Sequence, residues 1–426
     1  MQKNQLVAQL NAPLRAQRLD ALRQLKALTN SGDLPAPVMT QYVNNHIHTT
    51  YSFSPYSPAM AVYMAWQNGL PTAGIMDHDS VSGAYEFIEA GEIAGIATTV
   101  GIECRVDVSR TPLGMRRINN TDQSGVAYTA LHGIPHQNIE MVNGYFAPFR
   151  CNRNIRNHAM CERISELVKP SGLSLSFEED VLPLSMHHEG GGVTERHILY
   201  ALTKKITALC TTPDEVIEFL SAKLGMCVSD KIKAMLRTAP AEYYEYDILG
   251  ALKAELVEKF YIDATDECPD VRDFIKLAKA SQGIATYPYL GDVGDSVTGD
   301  KKTQKFEDDY LDFLFDIIGE IGYKAIAFMP TRNTQVQLER VMALSDKCGF
   351  FQISGEDINS PRQGFICKSL DNPAFAHLIR AAWALIGHEM AATEDLCDSF
   401  VSDETAGRYH GLAERIEHFY EIGKAL

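Results

Sequence analysis

At 426 residues the chain exceeds an average single domain, although one α/β barrel with an insertion also fits that length. Hydrophobic residues make up 45%, enough for a large core, and the formal net charge of −16 comes with no basic cluster, which argues against a long nucleic acid gripped by a basic surface. Nine cysteines without a Cys-x-x-Cys pair, with no leader-like segment and no apolar run of about 18 residues, point to a reduced cytoplasmic protein without a membrane span and speak against a thiolate-zinc site.

Residues 1–40 read as a helical appendage. Leu14, Leu19, Leu22 and Leu25 recur at roughly helical spacing, and Thr29 to Asp33 followed by Pro35 and Pro37 stops the helix. The leucine face suits packing on the rest of the domain or on a second subunit. From residue 41 the pattern alternates: a strand ending at His48, a helix from Pro58 to Gln67 stopped at Gly69, a strand over 73–76, a helix over 82–93 and a strand over 97–105. This spacing predicts parallel strands joined by helices, a layout that gathers active sites where the strands end. Residues 106–125 read as a hairpin or excursion loop before a strand from Val126 to His132.

Residues 153–268 are mostly helical. Thr212-Pro213-Asp214-Glu215 is a helix start with proline at the first position and a capping box. Thr194 reads as the N-cap of another helix. Arg196 and His197 then lie in its first turn, either as an anion-binding end or as a solvated one. His187-His188-Glu189 suits a polar loop better than a metal site. The alternating pattern resumes over 269–426: a helix from Val271, a strand at 283–288, an acidic Gly-rich loop, a helix over 306–319, a strand at 324–328, a helix over 334–348, a strand at 350–354, and closing helices from Pro373.

Ligand-type residues cluster where the first strands end. His46 and His48 lie two apart on a strand, so they project from one face roughly 7 Å apart along the chain and can grip one ion through neutral imidazoles. Asp77 and His78 end the second apolar run, and Glu103 the third, with no Lys or Arg close in sequence. Such clusters repel one another unless a cation is bound.

The order His46-x-His48-Thr49, Asp77-His78-Asp79 and Gly101-Ile102-Glu103 resembles the polymerase and histidinol phosphatase (PHP) family. The phrase from Asp77 to Ala84 resembles its stand-alone metal-dependent phosphoesterases, some of which carry a helical insertion. The resemblance implies a distorted seven-stranded (β/α)7 TIM-like barrel with ligands at the C-terminal rim. It implies metal ligands at His46, His48, Asp77, His78, Glu103, His132 and Asp357, and at Asn359, which stands where the family usually has histidine. Tyr287-Pro288 stands where the family usually has His-Pro, so Tyr287 is expected at the rim, hydrogen-bonded to a bound water or phosphate oxygen. These two departures favour two divalent ions, of manganese, zinc or iron, over three. The implied reaction is hydrolysis of a small phosphorylated compound, with acid–base help from His78 or His197 and Arg196 clamping a phosphate oxygen. A degenerate domain that binds metal without turnover, and a nuclease acting on short single-stranded ends, are the competing readings.

Overall fold

The computed structural model describes residues 3–120, 122–292 and 305–425. The chain opens with α1 (Lys3–Gln9) and α2 (Arg15–Asn30). The first half of the barrel comprises β1 (Val43–Ile47), α3 (Pro58–Gln67), β2 (Thr72–His78), α4 (Ala84–Ala94), β3 (Ala97–Asp107) and β4 (Val126–His132). A helical stretch follows: α5 (Ile139–Val168), α6 (Glu195–Leu209), α7 (Pro213–Glu218), α8 (Asp230–Thr238) and α9 (Ala241–Phe260). The barrel resumes with α10 (Val271–Ser281), β5 (Ile284–Pro288), α11 (Leu311–Ile321), β6 (Ala325–Phe328), α12 (Gln335–Cys348) and β7 (Phe351–Ser354). It ends with α13 (Ala376–Glu394), α14 (Asp403–Arg408) and α15 (Leu412–Lys424). Residues 293–304 of the acidic Gly-rich loop lie outside the described residues. The helix expected from residue 306 starts later, at Leu311, behind a short 3-10 turn.

The seven strands form one sheet in chain order, nearly closed into a barrel. At the seam β1 pairs with the segment after β7 through His48 N–H to Ile358 O (2.9 Å) and Ile358 N–H to His46 O (3.1 Å). The side-chain amides of Asn44 and Asn45 extend this closure by donating to the carbonyls of Glu356 and Ser354. One expectation is corrected. Strand β4 is antiparallel to both β3 and β5, because the chain returns through the 108–125 excursion rather than a crossover helix. Its last residue, His132, therefore sits beside Gly101 and below Glu103, not at the top of the rim.

Alternation along the strands sorts side chains into two layers. Outward-facing residues such as Tyr287 and Ile326 pack under the surrounding helices. Inward-facing Ile284, Ala325, Phe351 and Ile353 pack with Ala381, Ala384 and Leu385 of α13 and Phe419 of α15, which plug the lower end. The N-terminal leucines belong to the outer layer: Leu6, Leu10, Leu19, Leu22 and Leu25 are buried against α3 and α4 of the same chain, without need of a second subunit. Leu14, counted into that stripe from the sequence, precedes α2 and is 62% exposed. Arg18 of α2 grips Glu86 of α4 through two hydrogen bonds of 2.8 and 2.5 Å, both side chains nearly fully buried. Removing one partner would strand a buried charge, at a cost of about 3–5 kcal/mol.

Helices α5 to α9 build a separate hydrophobic cluster from Met160 to Phe260, joined by Phe53 of the β1–α3 loop. Arg153, where the insertion is expected to begin, lies midway along the continuous α5. Buried ion pairs pin this helical body over the barrel, Arg153 to Asp79 and Arg105 and Arg156 to Glu267, and the exposed Arg362 adds a pair to buried Asp247.

Candidate metal centre

The ends of β1, β2 and β3 bring three imidazoles to one carboxylate. The Nε2 atoms of His46 and His48 are 3.2 Å apart. From one oxygen of Glu103, His46 Nε2 lies at 3.6 Å, His48 Nε2 at 3.8 Å and His78 Nδ1 at 3.3 Å. Asp357, on the segment after β7, closes the group with Oδ1 3.2 Å from His48 Nε2. Gly355 lets that segment come close, since a Cβ there would lie 2.7 Å from the Cβ of His46. No ligand-bearing arginine or lysine pairs with Glu103 among the described ion pairs; its neighbours are imidazoles.

Burial and neighbouring charge act on these groups in different directions. Burial lowers the His46 pKa, but the hydrogen bond and charge of Glu103 outweigh it and leave it raised. Burial, with His48 and Arg153 close by, pushes His78 well below the ordinary imidazole range. Burial also opposes ionisation of Asp357, yet its neighbours His48, His46 and Arg196 keep it well below the usual carboxylate range. His48, His46 and Glu103 can all offer a ligand atom to one point. The donor set of imidazole nitrogens and carboxylates suits manganese, zinc or iron.

Asp77 is corrected from ligand to support. It is fully buried and spent on the β1–α3 loop, accepting from Thr49 N–H (2.6 Å), Thr49 Oγ1 (2.5 Å) and Ser52 Oγ (2.6 Å). Ser52 Oγ in turn lies 3.2 Å from His48 Nδ1. With Nδ1–H donating to Ser52, the Nε2 lone pair of His48 is left facing the cluster, the usual arrangement behind a metal-bound histidine. Thr49, part of the His46-x-His48-Thr49 motif, and Ser52 carried no expected role; both hydroxyls turn out to hold Asp77.

His132 lines the same cleft from below. Its Nε2 is buried without a hydrogen-bond partner, and burial lowers its pKa to about 3. An orphaned buried nitrogen aimed at a ligand cluster fits a further ion position. Asn359 is corrected as a ligand: its amide oxygen accepts from Arg196 and its Nδ2 donates to Asp357.

Two further placements overturn the expectations for substrate and acid–base residues. Tyr287 points outward, its hydroxyl 2.5 Å from buried Glu307, because strand parity turns residue 287 away from the cavity and residue 288 toward it. His197 is also turned away. It caps its own helix, with Nδ1 accepting from Thr194 N–H at 3.0 Å, and its ring packs edge-on against Phe53. Arg196, its neighbour, does face the cleft.

The cleft above the cluster measures about 510 Å³, a volume suited to a small molecule. Barrel residues Tyr128, Tyr289 and Arg332 line one side, and Arg196, Lys253 and Tyr261 of the helical body line the other. Arg332 follows β6, where the strand-end rule would have found it.

Residues 44–175 match the family model of the PHP domain. The chain carries a PHP domain. That match takes in His46, His48, His78, Glu103 and His132, and stops before Arg196 and Asp357. Among solved structures, a Bifidobacterium adolescentis protein provisionally named a metal-dependent phosphoesterase superposes with a TM-score of 0.53 at 19% identity, covering 82% of this chain and 97% of that one. At that identity the likeness shows a shared fold. An amidohydrolase from Chromobacterium violaceum aligns with a TM-score of 0.48 at 14% identity over 75% of this chain and 88% of its own. No curated protein sequence matches the chain. Among the described residues no helix is long and apolar enough to cross a membrane, and all nine cysteines are free.

Proposed function

We propose that this chain is a cytoplasmic, metal-dependent phosphoesterase that hydrolyses a small phosphorylated compound, a nucleotide or a phosphorylated metabolite. The observation that carries this reading is the convergence of His46, His48 and His78 on one oxygen of Glu103 beneath a cleft that Arg196 also lines. His46, His48, Glu103 and Asp357 would hold one divalent ion, and His132, with Glu103, a second. Ions bound there supply Lewis acidity and a hydroxide near neutral pH.

The chain's own residues do the rest. Asp77 and Ser52 fix the tautomer of His48. His78 at the rim can take a proton from water or return one to the leaving oxygen. Arg196 offers a planar fork to a phosphate oxygen. The acidic side chains Glu195, Glu255 and Glu258 also line the cleft and disfavour a long polyanion.

The test is a panel of phosphomonoesters, nucleotides and short single strands, assayed with added Mn²⁺ on protein of known metal content. Hydrolysis of a small phosphoester that His48→Ala abolishes is the expected result. Full metal loading with no turnover would instead make this a binding domain, and cleavage confined to short strands would make it a nuclease.

A further inference from the structure

We infer that Asn359 is a positioning residue that ties the guanidinium of Arg196 to the carboxylate of Asp357, and that this tether is its function in place of a bond to an ion. The inference rests on the phosphoesterase reading, in which Asp357 holds metal and Arg196 meets a phosphate oxygen.

The geometry fixes the direction of both bonds. Asn359 Oδ1 is 2.5 Å from Arg196 Nη1, and Asn359 Nδ2 is 2.7 Å from Asp357 Oδ1. A guanidinium only donates and an ionised carboxylate only accepts, so the amide can be oriented in one way alone. Its oxygen is spent on Arg196. The backbone N–H of Asn359 donates to Gln363 Oε1 at 2.7 Å, which holds the residue itself in place. Asn359 itself is 7% exposed.

The tether also crosses a boundary between two parts of the molecule. Arg196 stands at the start of α6 in the helical body, whereas Asp357 and Asn359 follow β7 of the barrel. Nearby Arg362 makes a second crossing, gripping Asp247 of α9 with bonds of 2.5 and 2.6 Å. The bonds from Arg362 thus also join the two parts. The Asn359 amide sets where Arg196 points. A histidine at position 359 could ligate an ion, but would give up the arrangement in which one planar group accepts from Arg196 and donates to Asp357. On this account the asparagine exchanges ligation for alignment of the anion-binding arginine with the metal cluster.

The experiment uses full-length protein loaded with Mn²⁺ and reads metal content, melting temperature and the affinity for inorganic phosphate by calorimetry, beside kcat and KM. Asn359→Ala is expected to keep its metal and melting temperature and to lose about tenfold in phosphate affinity, with KM rising more than kcat falls. Arg196→Met should lose about as much. The double variant should be no weaker than Arg196→Met, because the amide acts through the arginine. Asn359→His should not restore phosphate affinity. Independent, multiplying losses in the double variant would overturn the tether, as would metal loss in Asn359→Ala or full phosphate affinity in Asn359→His. Should the Mn²⁺-loaded unmodified protein bind no phosphate at all, the phosphoesterase reading itself fails and the tether fails with it.

Discussion

Histidine and glutamate meet at both ends of this barrel, with opposite consequences. At the lower end His388 donates from Nε2 to Gly133 O (2.9 Å) and accepts at Nδ1 from Phe400 N–H (3.0 Å). Beside it Glu389 accepts from Thr99 Oγ1 and Val100 N–H, both at 2.7 Å, and from His136 at 3.1 Å. Each of these side-chain nitrogens and oxygens has a protein partner, and burial lowers the pKa of His388 to about 4. At the upper rim the imidazoles face one another and Glu103 instead. Residue type does not separate a structural cluster from a reactive one. What separates them is whether the lone pairs are already spent.

The sharpest way to break this contrast is to truncate one histidine at each end. His48→Ala should abolish stoichiometric metal and lower turnover roughly a thousandfold, since several kcal/mol of charge stabilisation go with the ion. The melting temperature of the metal-free protein should hardly move. His388→Ala should do the reverse, keeping its metal while losing about 2–5 kcal/mol through a cavity and two unmatched backbone groups. Elemental analysis and denaturant unfolding of both variants decide the matter. A His388→Ala protein that is stable but metal-free would dissolve the distinction.

A support behind the rim should give a smaller effect. Asp77→Asn keeps the shape of the loop but weakens the chain from Asp77 through Ser52 to His48. Metal affinity should fall by about 10- to 100-fold with little change in stoichiometry at saturation. Titration with Mn²⁺ reads it, and an unchanged affinity would return Ser52 and Asp77 to a purely local role in the loop.

Smaller still is the effect of Tyr287→Phe. The hydroxyl bonds Glu307, whose carboxyl burial pushes up to about 7, and it lies outside the barrel wall. About 1 kcal/mol of stability should be lost, with metal and turnover untouched. A change in KM would put Tyr287 back at the site.

That residue also shows where the sequence stops being legible. The parallel run β1 to β3, with one ligand group at each strand end, follows from apolar runs and short helices, and His46, His48, His78 and Glu103 lie at those ends as expected. From β4 onward the barrel obeys rules of parity and direction that depend on exact strand boundaries. A one-residue offset turned Tyr287 out of the cavity, and one reversed strand lowered His132 beneath the rim. Asn359, Thr49 and Ser52 act through partners far away in sequence or through hydroxyls with no distinctive pattern. The lower cluster was not visible at all, because His388 and Glu389 sit within an ordinary apolar helix.

The smallest expected effect concerns pH and the lower end alone. His136 has its pKa raised by the hydrogen bond from its ring to Glu389, against a smaller lowering by burial, with the charges of Glu389 and Glu92 adding to the rise. A histidine that binds its proton more tightly folded than unfolded stabilises the fold fully below the unfolded value, about 6.5, and loses that contribution as pH rises through the folded value. Glu389 is itself raised, chiefly by burial, and so pulls in the same direction. His136 is partly exposed, so solvent screens the pair and the effect should amount to a few degrees at most. In the metal-free protein, the melting-temperature gap between the unmodified chain and His136→Ala should therefore be widest near pH 6 and narrow toward pH 8.5. The same scan on His48→Ala should show the same narrowing when His136 is replaced in that background, because the two ends spend their lone pairs independently. A gap that stays constant across the range would mean that the His136–Glu389 contact contributes through packing and not through its proton.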